Sequence, residues 1–301
     1  MPERPRRSAT AAVHIPDCPQ WIVTRAGVRA ALGGRRDDLG ALSAAWRIRV
    51  CMPAFPETIM AEHEFRDRVL IRAARRFRQY VVVDPDLPPW QPVHEVLPAD
   101  RGARVLYLLD DAESAVRSWM VAAYRETPGV SWMSSAPGLG ACLRTAAANG
   151  EITLDAPIWV VLSSALQHTW DPRALLADLW DVLPADSRVS VTHVAPQHPA
   201  TTQDSGRSPV EAAFTSCLSS PLVLRPASEV LDVFTDPHAW DLIRCSGVEI
   251  QAPPGIAASR STTDTAAELI TVIARRPPRT RPRPSASTVD HARNPGHDPD
   301  A

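Results

Sequence analysis

An apolar run from Tyr80 to Val83 empties into Asp84, Pro85, Asp86 and Leu87, and a second run from Arg104 to Leu109 empties into Asp110 and Asp111. If both runs are neighbouring strands, four carboxylates gather at one mouth, an arrangement suited to offsetting a cationic ligand. The first turn has no glycine, the residue that normally lets backbone N–H groups close on a phosphate or carboxylate. His168 follows a third apolar run, IWVVLSS, and is a candidate general base because imidazole titrates near neutral pH. Its structural alternative is a partnership with Asp171, which stands before Pro172 as an N-cap stands before a proline at the first helical position. His193, at the end of RVSVTHV, either lines the same cleft or is an ordinary histidine at a strand end. His63, His94, His168 and His193 show no metal-ligand spacing, so no metal is expected.

These residues need elements to hold them. Three- to seven-residue apolar runs at Tyr80, Arg104, Val130, Ile158, Arg188, Val248 and Glu268 read as strands. Helical spacing marks Pro92–Leu97, Glu113–Tyr124, Leu139–Asn149, Pro172–Leu183, Pro209–Cys217 and Ala227–Phe234. Strands alternating with helices predict a doubly wound α/β fold with a mostly parallel seven-stranded sheet covered on both faces. Ligands then lie beyond the carboxyl ends of the strands, at the turns after Val83, Leu109, Ser163 and Val194. WIVTRAGVRAAL and EHEFRDRVLIRAARRFRQY repeat apolar residues three and four apart, so residues 20–79 are expected to form a helical extension before a Rossmann-like domain at 80–274. Residues 1–19 and the Arg/Pro-rich stretch 275–301 lack apolar content and are expected to be disordered tails.

Composition narrows the function. All 32 basic side chains counted as Lys+Arg are arginine, which excludes a phosphate-binding loop that needs lysine. A net charge of −2 gives no whole-chain attraction to nucleic acid or to an anionic membrane, so any anion binding has to be local. The five cysteines are scattered and form no C-x-x-C, pointing to neither a disulfide framework nor zinc. No apolar stretch approaches the roughly 18 residues of a membrane span, and a cytoplasmic protein is expected. Ser163 and Ser164 lack a nucleophile elbow.

ALGGRRDDLGAL from Ala31, LPPWQPVHEV from Leu87, RVLYLLDDAESAV from Arg104, IWVVLSSALQH, LLADLWDVLPADSRVSVTHV and LVLRPASEVLDVF occur in an order that resembles actinobacterial S-adenosylmethionine-dependent methyltransferases, formerly a domain of unknown function. The resemblance spans about Trp21 to Ala274. It implies a class I methyltransferase fold, S-adenosylmethionine as cofactor and a small-molecule methyl acceptor. Matched on VHEV, the family's cofactor loop falls with Asp84 and Asp86 at its glycines, Val82 at its acid and Leu87 kept. Leu109 stands at the ribose-binding acid, with Asp110 and Asp111 beside it, and Ala136 at the acid near the adenine. Gly33, Gly34, Arg35 and Asp37 match the family's N-terminal signature, either a flap over the cofactor or a tight helix–helix turn. Two functions stay open: methyl transfer to a small molecule, with His168 and His193 at the acceptor side, or a degenerate fold acting as a binding or regulatory protein. Neither the acceptor nor the oligomeric state follows from the residues.

Overall fold

The computed structural model describes residues 23–196, 208–218, 220–235, 238–251 and 266–278. Three helices come first: α1 (Arg25–Leu32), α2 (Leu39–Cys51) and α3 (Phe55–Ala73). Thr24 caps α1 by accepting from the Gly27 N–H at 3.1 Å, and Asp38 caps α2 through the Ala41 N–H at 2.9 Å. Each cap satisfies a backbone donor that the first helical turn leaves without an intrahelical partner.

The rest alternates: β1 (Gln79–Val83), α4 (Val93–Val96), β2 (Arg104–Leu109), α5 (Ser114–Tyr124), β3 (Val130–Ser134), α6 (Leu139–Ala148), β4 (Trp159–Ser163), α7 (Pro172–Val182), β5 (Arg188–Pro196), α8 (Pro209–Cys217), α9 (Ala227–Asp232), β6 (Asp241–Gln251) and β7 (Ala266–Arg275). The strands form one seven-stranded sheet in the order β3-β2-β1-β4-β5-β7-β6. All pairings are parallel except those of β7, which runs antiparallel to both β5 and β6. Strand order reverses between β1 and β4, so a ligand crevice is expected beyond Val83 and Ser163.

Every residue of β1 is buried, as expected of a central parallel strand with helices on both faces. Its side chains alternate between two cores. Val81 and Val83 pack with Leu106, Val160 and Leu179 on one face, and Tyr80 and Val82 with Val69, Tyr107 and Trp159 on the other. Helix α7 starts as the sequence suggests, with Asp171 accepting from the Ala174 N–H at 2.9 Å ahead of Pro172. Helix α8 opens with a reciprocal capping box between Ser208 and Glu211.

Two boundaries shift. Strand β6 starts at Asp241, seven residues before the apolar VEI segment, because as an edge strand it faces solvent and lacks the apolar pattern that reveals a buried strand. Strand β7 continues through Arg275, where a tail was expected to begin: Arg275 pairs with Asp241 at 2.6 Å, and buried Arg276 donates from Nε to the Trp180 carbonyl at 2.7 Å. The expected disordered segments at 1–19 and beyond residue 278 lie outside the described residues. Among the described residues no helix is long and apolar enough to cross a membrane.

Gly33 and Gly34 end α1. Gly33 donates to the Arg29 carbonyl at 3.0 Å, and Gly34 adopts φ 103°, a conformation that carries no side chain cheaply. A Cβ on Gly33 would lie 2.4 Å from the Trp90 ring, whereas one on Gly34 meets open space. Gly33→Ala therefore forces Trp90 aside and is expected to cost about 1–3 kcal/mol. Gly34→Ala pays only backbone strain of about 1–2 kcal/mol. Urea denaturation of the two variants, with Trp90 emission perturbed only in Gly33→Ala, checks this.

Candidate functional site

The turn after β1 is closed by the N-terminal helix. Arg25 and Arg29 lie one turn apart on α1, on the same face, and both are buried. Arg25 Nη2 sits 3.2 Å from Asp84 Oδ2. Arg29 grips Asp86 with two bonds, Nε to Oδ1 at 2.7 Å and Nη2 to Oδ2 at 3.1 Å, and its Nη2 also donates to Glu62 at 2.8 Å. His63 Nε2 lies 3.1 Å from the same Asp86 carboxylate, and its ring stacks on Trp90 with centroids 4.2 Å apart. Asp84 and Asp86 are thus not bare charges facing a ligand, as a turn without glycine suggests in sequence; α1 and α3 supply their counter-ions.

Glu113 completes the lock. Its two carboxylate oxygens accept from the Arg25 N–H at 2.8 Å and the Ala26 N–H at 3.1 Å, so a buried acid from the β2–α5 loop caps the positive end of α1. Asp110 follows β2 directly. Its Oδ1 accepts from the Ala112 N–H at 3.0 Å, and its other oxygen has no hydrogen-bond partner among the described residues. Asp111 is exposed and ion-paired with Arg117, away from this cluster. Leu87 is buried, and with Gly27 and Ala31 it lines a small cavity of about 70 Å³ beside α1.

The two carboxylates of the turn differ in their charge balance. Burial alone would raise the Asp86 carboxyl, but Arg29 and His63 outweigh burial and hold it far below the usual carboxylate range. Asp84 shifts the other way: burial lifts it, the charge of Asp110 adds to the lift, and Arg25 only partly opposes them. Glu113 is also raised, by burial first and by Asp84 after it. Burial likewise works against the charge on Arg25, yet Asp84, Glu113, Asp86 and Asp110 together raise it above the ordinary guanidinium value. One guanidinium is shared among several carboxylates, which leaves a surplus of negative charge around Arg25.

His168 lies in the short turn after β4. Its Nδ1 is 2.9 Å from the Pro221 carbonyl, which can only accept, so Nδ1 carries the proton and Nε2 presents a lone pair. That Nε2 is sealed from solvent and has no hydrogen-bond partner. Burial, followed by the charge of Arg25, pushes the imidazole well below its usual pKa, with Arg29 and Asp86 also coupled to it. It does not pair with Asp171; it is a neutral acceptor beside the arginine pair. His193 is elsewhere. It is fully buried, its Nε2 accepts from the Arg225 N–H at 2.9 Å, and burial and Arg225 depress its pKa to about 3. His193 therefore fixes the β5 end to the chain before α9 and does not line a cleft.

Arg25, Arg29, Glu62 and Glu113 were not singled out from the sequence, and His63 was weighed there only as a metal ligand. Their signal was two arginines, four apart, on the otherwise apolar face of a helix. A buried arginine needs an acid, and the unexplained acids were those of the β1 turn.

Asp86→Gly leaves Arg29 buried against Glu62 alone, and is expected to cost about 3–5 kcal/mol. The native pKa of Asp86 lies below its unfolded value of about 3.9, so its contribution is fully present above that value and is lost as pH falls beneath it. Urea midpoints measured from pH 6 to pH 2.5 should fall steeply below about pH 4 in the wild type and less steeply in the variant.

The sequence profile described as S-adenosyl methyltransferase matches residues 30–277. A structure from Thermobifida fusca, described as a candidate methyltransferase, superposes with a TM-score of 0.65 at 17% identity and covers 89% of this chain and 100% of its own. A duf574-family protein from Streptomyces avermitilis gives a TM-score of 0.63 at 17% identity, over 85% of this chain and 98% of its own. These likenesses carry the fold. No curated protein matches the chain. With 248 consecutive residues matched, including both strand turns and the Gly33–Gly34 corner, the chain belongs to the S-adenosyl methyltransferase family.

Proposed function

We propose that the mouth around Arg25 binds S-adenosylmethionine and that the protein transfers its methyl group to a small-molecule acceptor. The carrying observation is the surplus of negative charge: the carboxylates of Asp84, at 3.2 Å, and Glu113, at 3.9 Å, share the single guanidinium of Arg25. A ligand with a sulfonium, an ammonium and one carboxylate has a net positive charge and matches that surplus. Arg25 is placed to take the carboxylate, Asp84 to take the ammonium, and the free oxygen of Asp110 to accept ribose hydroxyls. The bound cofactor supplies an electrophilic methyl carbon on sulfur.

The remaining chemistry is mostly positioning. The Nε2 lone pair of His168 orients an acceptor O–H or N–H by accepting from it. Its depressed pKa keeps it neutral, so it is not blocked by its own proton at pH 7. Burial behind α1 and α3 excludes water, which strengthens each of these contacts.

A second reading, a binding protein without turnover, is favoured by Arg25 itself. Its side chain is 6% exposed and already stands over the turn that in a glycine loop stays open. Titration calorimetry separates the two. Micromolar binding of S-adenosylmethionine is expected, with the neutral thioether S-adenosylhomocysteine binding about tenfold more weakly because it lacks the sulfonium charge. Asp84 and Glu113 titrate above the usual carboxylate range, so the preference for the sulfonium should fade as pH drops, before pH 4 is reached. No binding at millimolar ligand would overturn the methyltransferase reading and leave the second.

A further inference from the structure

The opposite ends of the same strands carry the reverse charge. Phe77 precedes β1, Trp159 opens β4 and Arg188 opens β5; with Arg72 from the last turn of α3, Arg76 three residues past its end and Arg244 from β6 they line a cavity of about 200 Å³. Four guanidinium groups line it and no carboxylate does. Among the described residues none of the four forms an ion pair. The nearby acids are engaged elsewhere, since Arg275 takes Asp241 at 2.6 Å and Asp186 at 3.6 Å.

Arg188 lies deepest. Its guanidinium carbon is 5.6 Å from the Phe77 ring centroid and 5.7 Å from that of Trp159, so the aromatic rings hold it in place. Its Nε is sealed from water and has no acceptor. A buried donor without an acceptor destabilises the fold, and more so when it is charged. Burial pulls Arg188 below the ordinary guanidinium value, and Arg76 and Arg275 lower it further against the opposing charge of Asp186.

We propose that this cavity is an anion site for a small molecule carrying two linked phosphoryl groups, pyrophosphate or the phosphate tail of a nucleotide. Guanidinium forks match phosphoryl oxygens in geometry. One phosphate monoester carries only about −1.5 to −2 at neutral pH, so two linked groups balance four guanidiniums better than one. The concave shape and the overall charge of −2 favour a small ligand over a nucleic-acid strand, which needs an extended basic track. The site is about 16 Å from the Asp84 turn, the length of a five-residue strand, and the assignment does not depend on what that turn binds.

The test is calorimetric titration of the full chain with pyrophosphate, orthophosphate and ATP at low salt. Pyrophosphate and ATP should bind, and orthophosphate should bind at least about tenfold more weakly. Arg72→Gln and Arg244→Gln alter exposed side chains and should leave the melting temperature of the free protein unchanged, while each weakens pyrophosphate by about tenfold. Absence of pyrophosphate binding, or binding unchanged in both variants, would overturn the site. So would a fluorescent single-stranded RNA binding more tightly than pyrophosphate and lost in the same variants, which would make the surface a nucleic-acid contact.

Discussion

The architecture turns on the seating of α1 against the turn after β1. An isolated eight-residue helix is too short to be stable in water, so its helicity has to come from what it packs on. Here the packing is ionic as much as apolar. Arg29 is 2% exposed and Glu62 1%, and neither charge could be buried without the other and Asp86. Glu113 adds a carboxylate at the helix start, where the backbone N–H groups need an acceptor. The N-terminal helices are therefore part of the site and not an appendage to the sheet.

Much of the scaffold was legible in the residues. β2 and α8 fall at the positions their apolar runs and helical spacing indicate, because a strand buried on both faces must be continuously apolar and a helix lying on a core repeats its apolar residues three and four apart. β6 was only partly legible, since an edge strand is under no such constraint. The site was less legible than the fold. Asp84 and Asp86 could be named as anomalous, but their meaning depended on Arg25 and Arg29, some 60 residues earlier. A helical face that reads as apolar with two arginines is ambiguous until its neighbour is known. His168 and His193 illustrate the same limit: one follows β4 and the other lies near the end of β5, yet one leaves a free lone pair and the other spends its lone pair on Arg225.

The absence of glycine in the turn has a physical counterpart. A glycine loop offers backbone N–H groups to an anion, and Asp84 does hold the positive φ, 52°, that such a turn requires, while its N–H is bonded to the Leu108 carbonyl. The Asp84 N–H is thus spent within the sheet, and the charges at the turn are those of side chains. Arg25 and Arg29 of α1 stand over it, 3.2 Å from Asp84 and 2.7 Å from Asp86.

The two aspartates then divide the work. Asp86 sits in a set where a bidentate arginine and an imidazole outweigh burial, so its charge is satisfied within the protein and its part is to hold α1 and α3 together. Asp84 sits in a set that the protein leaves under-neutralised, with Asp110 and Glu113 competing for the same guanidinium. An under-neutralised buried charge is a standing cost to the fold, and it is relieved only by something from outside. The same logic with the sign reversed applies to Arg188 at the far ends of the strands. A net charge of −2 for the whole chain is silent on such local imbalance. The places where this protein does not balance its own charges are the two for which a ligand of opposite charge is proposed.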